Sequence, residues 1–406
     1  MALLTGDSMG EAHDTTEGKE VADPRTIMPW LLTRTHDERF IDNVFVALCD
    51  RLRLAGVPVA RATLHFRINH PQWMGARILW RTGFAEAEID TVDYGVENSP
   101  EFLMSPIRDL HDGVAEVHQI LTVDDPARPY PIFAELRQEG LTDYLAMPLQ
   151  HTLGKRHAVT FASDAPGGFA PEHLTLLRAL VPVLALVSEV RIKNALARTL
   201  LRTYVGPHAG EKILAGATRR GSGVTLSAVV MIFDVRNFTE ISDLWPRDDV
   251  IGMLNQCFDA LSEPIERHGG EILKFMGDGL LAVFPLEGED VCQHAFDALA
   301  EVQVAMDRLN RSREAANQPA LRYGIGVHCG DVMYGNIGSS SRLDFTVIGP
   351  TVNIASRLET LTKTVHRPVL MSEAFIRAGQ LETQVEHVGS FPLRGLSQSV
   401  DVFAPR

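Results

Sequence analysis

The sequence predicts an α+β fold in two units, the C-terminal one a ferredoxin-like, palm-type sheet. Three observations carry this. Ser227 to Phe233 is almost wholly apolar, as a strand buried on both faces must be. Helix and strand patterning then alternate in the order β-α-β-β-α-β, which is the order of that sheet. Gly277-Asp278-Gly279, between two short strand-like runs, is a strong hairpin signal.

A length of 406 residues suits two or three domains, each large enough for its own core. Apolar residues at 45% and charged residues at 22% are ordinary for a soluble globular chain. Acidic residues outnumber basic ones 52 to 38, a formal charge of -14, which argues against broad nucleic-acid or anionic-membrane binding. Cys49, Cys257, Cys292 and Cys329 are scattered without a CxxC pair, so neither a zinc site nor a disulfide framework is expected. A reducing, cytoplasmic compartment follows as an expectation. The N-terminus carries no signal-peptide pattern. Leu174 to Val190 is the richest apolar stretch, but Arg178, Pro182, Ser188 and Glu189 interrupt it, so it reads as a packed helix and not a membrane span.

Residues 1–27 are polar and acidic and read as a disordered tail. Residues 28–185 form a mixed α/β region. His36 to Leu54 has helical spacing, with Phe40, Val44, Phe45, Leu48 and Leu52 on one face. Strand-like runs follow at RATLHFRI, ARILWRTG, YLAMPLQ and HAVTFAS, and a helix after Pro171 closes the unit. This element order resembles the GAF family of ligand-binding or dimerising modules, which implies a sensory role and a small-molecule regulator. His65, His70 and Trp73 fall near one strand end; surface and core packing is the plain reading, and a small-molecule or haem site the alternative. Residues 186–222 are a helical connector that can pair with its copy in a second chain. Gly206-Pro207 breaks it.

In the region 223–406, a helical stretch runs from Thr239 to His268 with a break near Pro246. Strands follow at Glu271 to Met276 and Leu280 to Phe284. Helix covers Asp290 to Arg313. Strands return at Arg322 to His328 and Asp331 to Tyr334, and a helix spans Thr351 to Leu361. Asp234 ends the first buried strand and Asp278 sits at the tip of the hairpin. Neighbouring strands would project both carboxylates from one sheet edge, where they repel unless a cation lies between them. Hard oxygen ligands suit Mg²⁺ or Mn²⁺, and two such ions serve in-line displacement at phosphorus. Taken singly, Asp234 reads as a helix cap and Asp278 as a turn former. The loop VRNFTEIS after Asp234 opens a helix whose first N–H groups suit phosphate oxygens.

FDVRNFT, KFMGDG and DFTVIGPTVNIASRLE strongly resemble the three signature segments of the class III adenylate and guanylate cyclases, in the right order and spacing over residues 223–406. The resemblance implies that Asp234 and Asp278 hold two metal ions and that Val235 gives one of them a backbone carbonyl. It implies that Phe238 and Thr239 wrap the β- and γ-phosphates. Lys274 matches the lysine that reads adenine, and Thr346 its partner. That Lys/Thr pair looks like the adenylate-cyclase subgroup related to bicarbonate-responsive enzymes; guanylate cyclases carry Glu at the Lys274 position. A lysine donates to adenine N1 but meets the N1–H donor of guanine. Asn353 and Arg357 match the pair that orients the ribose and stabilises the transition state, and i,i+4 spacing puts both on one helix face. An ion pair with Glu359 is the other role open to Arg357, and a solvated strand-edge charge the other role open to Lys274. The second basic residue that the family places near its C-terminus has Arg394 as its candidate, within Pro392-Leu393-Arg394-Gly395-Leu396, where the pattern departs from the family.

In the family, the metal aspartates and the lysine belong to one subunit, and the Thr, Asn and Arg elements to the other. Each chain holds both sets once, so a homodimer with ATP at two equivalent sites is implied, and an inactive monomer. A guanylate cyclase is the main alternative. The Gly-Gly-Asp-Glu-Phe turn of a diguanylate cyclase is absent. A catalytically silent nucleotide-binding regulator is the third reading.

Overall fold

The computed structural model describes residues 23–68, 70–123, 130–394 and 398–406. The chain divides into two compact units, Met1–Leu200 and Leu201–Arg406.

The N-terminal unit opens with α1 (Pro24–Thr33), capped by the Asp23 side chain, and α2 (Ile41–Leu54). Residues 23–27 thus belong to a helix start and not to a tail; the rest of the expected tail lies outside the described residues. Helix α2 begins five residues later than its periodicity predicts, because Thr35 and Glu38 close a turn first. Its predicted face is buried at Val44, Phe45, Leu48 and Leu52.

Strands β1 (Arg61–Arg67), β2 (Gly75–Arg81), β3 (Glu88–Val92), β4 (Val117–Ile120), β5 (Asp143–Gln150) and β6 (Arg156–Ser163) form one sheet in the order β3-β2-β1-β6-β5-β4. Between β3 and β4 lie a 3-10 turn (Val96–Asn98), α3 (Pro100–Leu103) and α4 (Pro106–His111); α5 (Pro131–Gln138) precedes β5. The exposed edge strand β3 and the short β4 lack the apolar run that marks the other four strands. Helix α6 (Pro171–Val205) buries Leu177, Leu180, Leu184 and Ile192, and all four join the core formed with α2 and β1. Among the described residues it is the helix long and apolar enough to cross a membrane.

His70 stacks on Trp73 with ring centroids 3.9 Å apart, and its Nδ1 accepts from the Gln72 amide. His65 bonds Thr63 instead. The trio grouped by sequence proximity is therefore split.

The C-terminal unit starts with α7 (Pro207–Leu214), after the expected break at Gly206. It continues through β7 (Gly223–Val235), α8 (Phe238–Leu244), α9 (Arg247–Arg267), β8 (Glu271–Met276), β9 (Gly279–Pro285) and α10 (Val291–Ala315). Then come β10 (Tyr323–Gly338), β11 (Leu343–Ile348), α11 (Pro350–Val365), β12 (Val369–Ser372), α12 (Glu373–Gly379), β13 (Val385–Pro392) and β14 (Ser399–Pro405). The sheet order is β13-β14-β12-β10-β7-β9-β8, with β11 paired to β10. Its β10-β7-β9-β8 part is the ferredoxin-like arrangement, with β7 central and buried at six consecutive residues from Ala228 to Phe233.

Strand β10 runs unbroken where two strands were expected. Gly330 and Asp331 suggest a turn, but both remain extended because β7 pairs with β10 along its length, Ala228 opposite Gly330 and Ser227 opposite Asp331. The far edge of β10 is shared: Ile325–Val327 pair with β12 and Met333–Gly338 with β11.

Helix α11 lies directly on β10 at Gly326. A Cβ there would stand 2.1 Å from the Ala355 carbonyl oxygen and 2.3 Å from the Glu359 nitrogen, both backbone atoms of α11. Gly326→Ala is therefore expected to push the helix off the sheet and cost at least ~1–3 kcal/mol, the usual range for overpacking. Urea unfolding checks this; an unchanged midpoint would mean that α11 is not seated as described.

Candidate active site

Strands β7 and β9 pair antiparallel with Asp234 opposite Gly279, so Asp278 lies beside the end of β7. The Val235 amide donates to the Asp278 carbonyl at 3.3 Å. Gly279 has no room for a side chain: a Cβ would meet the Phe233 carbonyl oxygen at 2.6 Å. That close approach brings the two carboxylates together. Burial holds the Asp278 carboxyl above the ordinary carboxylate range, and the Asp234 charge beside it pushes in the same direction. Two half-buried carboxylates side by side are a hard-oxygen donor set suited to a divalent cation. Among the described residues no cluster of three or more His, Cys, Asp or Glu exists, so further donors would come from backbone, water or substrate.

Two cations of the same chain approach Asp234. Lys363 Nζ and Arg236 Nη1 each lie 3.8 Å from its Oδ2. Arg236 is chiefly committed elsewhere: it bonds Glu359 Oε1 at 2.6 Å and the Glu359 carbonyl at 3.0 Å, and it also contacts Thr362. This buried ion pair ties the end of β7 to α11. The Glu359 carboxylate is thus occupied by Arg236 and not by Arg357. Arg357 is half-buried and, among the described residues, makes no hydrogen bond or ion pair. Lys363 is more than half exposed and remains available beside the carboxylates.

The structure does not bring Asn353 to the carboxylates of its own chain. It precedes Lys363 by ten residues on α11, about 15 Å along the helix axis. Asn353 is exposed. Arg394 is exposed after β13, with β14, β12 and β10 lying between that strand and β7, so it too is remote from Asp234. Phe238 opens α8 directly after Asn237, which takes a left-handed conformation (φ 59°), and Thr239 is exposed in its first turn. First-turn N–H groups have no partner within a helix.

Lys274 lies on β8 with its ammonium 2.6 Å from Asp344 Oδ2 of β11. Thr346 stands two residues further along β11, opposite Gly335, so Asp344 and Thr346 share a strand face. Lys274 is thus paired rather than simply solvated, and the strand that carries Thr346 lies beside it in the same chain, against the expectation that lysine and threonine come from different subunits. The lysine holds the Asp344 carboxyl below the ordinary carboxylate range. Sequence reasoning did not single out Asp344, Lys363 or Arg236, and it named Glu359 only as a partner for Arg357. The Arg236–Glu359 pair spans 123 positions, and no local pattern announces it.

Residues 224–404 match the adenylate and guanylate cyclase catalytic domain family. The C-terminal unit is a class III cyclase catalytic domain. Adenylate cyclase 1 of Rhizobium meliloti is 31% identical over 175 residues, 43% of this chain and 26% of that protein. An adenylate cyclase of Anabaena cylindrica is 32% identical over 204 residues, 49% of this chain and 38% of that one. The chain therefore spans well under half the length of these curated relatives. A solved bacterial light-regulated adenylyl cyclase covers 56% of this chain and 64% of its own, with 23% identity and a TM-score of 0.48. Members of this cyclase family use divalent metal ions, in keeping with the Asp234–Asp278 pair of the cyclase domain.

Proposed function

We propose that this chain is an adenylate cyclase, converting ATP to 3′,5′-cyclic AMP and pyrophosphate at two equivalent sites of a homodimer. The convergence of Asp234 and Asp278 at paired strand ends carries the reading. These carboxylates, with the Val235 carbonyl, would hold two Mg²⁺ or Mn²⁺ ions. Bound there, the ions would acidify the ribose 3′-hydroxyl and neutralise the pyrophosphate leaving group.

The remaining steps fall to the chain's own residues. The loop from Val235 to Thr239 holds the β- and γ-phosphates, and Lys363 adds a cation beside them. Asn353 and Arg357 of the second copy orient the ribose and meet the charge that builds on the α-phosphate oxygens. The separation of Asn353 from the carboxylates of its own chain supports this division. The 3′-oxygen forms its bond to the α-phosphorus as the bond to the β-phosphate bridging oxygen breaks. The 3′ proton leaves to water or to a substrate phosphate. Lys274 reads the adenine ring together with Thr346, and ATP entering that position displaces Asp344 from the ammonium. Arg394, remote from Asp234 of its own chain, would contact the triphosphate from the second copy.

The N-terminal unit is proposed as a GAF-like regulatory domain, on the strength of its six-stranded antiparallel sheet and flanking helices. A cytoplasmic setting accords with four cysteines in the thiol form.

The test is purified chain with Mn²⁺ and equal ATP and GTP. Cyclic AMP should dominate the product. Mainly cyclic GMP would favour the guanylate alternative, and no cyclic nucleotide from a verified dimer would leave the silent-regulator reading.

A further inference from the structure

Asp234 has a glycine opposite it on both neighbouring strands, Gly279 of β9 and Gly324 of β10. The space that Gly324 leaves is filled by Arg236: a Cβ there would fall on Arg236 Nη2 and on Thr362 Oγ1. Arg236 directly follows β7, and its amide donates to the Arg322 carbonyl at 2.7 Å, so its backbone is tied to the start of β10.

The guanidinium is fixed in its plane. Nη1 donates to Glu359 Oε1 at 2.6 Å, and Nη2 donates to the Glu359 carbonyl at 3.0 Å and meets the Thr362 hydroxyl. The two side chains of the ion pair are only 11% and 7% exposed. Held this way, Nη1 stands 3.8 Å from Asp234 Oδ2. That is too far for a hydrogen bond, so the carboxylate oxygens stay free for a cation while a fixed charge confines them. Stability alone does not account for such a pair, because apolar residues of similar volume often hold two elements together as well.

Helix α11 has two working faces. Glu359 and Lys363 are one turn apart and both face the end of β7, where Lys363 Nζ lies 3.8 Å from Asp234 Oδ2. Asn353 and Arg357 are likewise one turn apart, but Arg357 precedes Glu359 by two residues, which puts it on the far side of the helix. Asn353 is exposed there and Arg357 half-buried.

We propose that Arg236 is a positioning residue with two outputs: through its fixed charge it holds Asp234 in one site, and through Glu359 it sets the helix that presents Asn353 and Arg357 to the other site. The inference rests on the shared site proposed above.

Mixed dimers with a single working site test it. In a chain carrying Asp234→Ala, α11 serves the working site; in a partner carrying Arg357→Ala, the carboxylates serve it. Arg236→Lys keeps the charge and loses the fork, and it is placed in one chain or the other. In the chain that gives the carboxylates, it should raise the Mn²⁺ concentration for half-activation about tenfold and leave KM for ATP unchanged. In the chain that gives α11, it should lower kcat about tenfold and leave Mn²⁺ half-activation unchanged. Glu359→Gln, in the same two placements, should show the same split. A merely structural loss would move the same parameter in both placements; that result, or no effect in either, would overturn the inference. No cyclic AMP from the mixed chains without the Arg236 change would instead remove the shared site, and the double role with it.

Discussion

Asp234→Ala is expected to lower kcat for cyclic AMP formation at least about 1000-fold while leaving the catalytic unit as stable as before, or more so. A carboxylate that holds a cation at the reacting phosphates contributes several kcal/mol of transition-state stabilisation, and ~4 kcal/mol corresponds to that factor. The stability half of the prediction comes from the sign of the local electrostatics. Asp278 is held above its ordinary range by burial first and by the Asp234 charge in addition. A carboxyl with a raised pKa in the folded state is destabilised in its ionised form, so near neutral pH the fold loses stability to it. Removing Asp234 relieves part of that strain. The buried Arg236–Glu359 pair keeps its 2.6 Å contact partner, so no buried charge is orphaned. Cyclic nucleotide assays with Mn²⁺, together with urea unfolding, check both halves. An inactive and unfolded variant would point to a structural role for Asp234, and an active one would remove it from the chemistry.

Lys274→Glu is expected to cut kcat/KM for ATP at least about 100-fold and to shift preference toward GTP. A buried site that hydrogen-bonds one substrate edge rejects an analogue that leaves its polar groups unpaired, and such mismatches reach large factors. Lys274 is well exposed in the isolated chain, with its ammonium on Asp344, so the discrimination arises only once the nucleotide covers it. The exposed Lys274–Asp344 pair itself contributes little to folding. The substitution should therefore alter kcat/KM ratios with the unfolding midpoint unchanged. Measuring both nucleotides under identical Mn²⁺ settles the direction; equal losses for ATP and GTP would show that Lys274 does not read the base.

Much of the catalytic fold was legible because its signals are local. The apolar run of β7, the Gly-Asp-Gly turn and the periodicity of α9 and α10 each lie within a few consecutive residues. Strands β12, β13 and β14 escaped notice. They are short or partly exposed, and β14 pairs with β12 and β13 across gaps that no local pattern bridges. In the N-terminal unit, β5 and β6 are buried on nearly every residue and stand out, whereas the edge strand β3 is mostly exposed and does not. The candidate site divides in the same way. Asp234 and Asp278 are readable because one lies at the end of a recognisable strand and the other at the tip of a Gly-Asp-Gly hairpin, and their proximity follows from the topology. Lys363 and Arg236 are not readable, because their roles depend on how α11 is seated over β10, and that seating rests on the bare backbone of Gly326.

The central claim is that two copies of this chain assemble each cyclase site, one giving the carboxylates and the other Asn353 and Arg357. Mixing equal amounts of Asp234→Ala and Arg357→Ala chains, each nearly inactive alone, tests it most directly. Random pairing makes half of the dimers mixed, and each mixed dimer restores one of two sites, so about a quarter of wild-type cyclic AMP output is expected. Output no greater than that of the two variants measured separately, with subunit exchange demonstrated, would contradict the shared site.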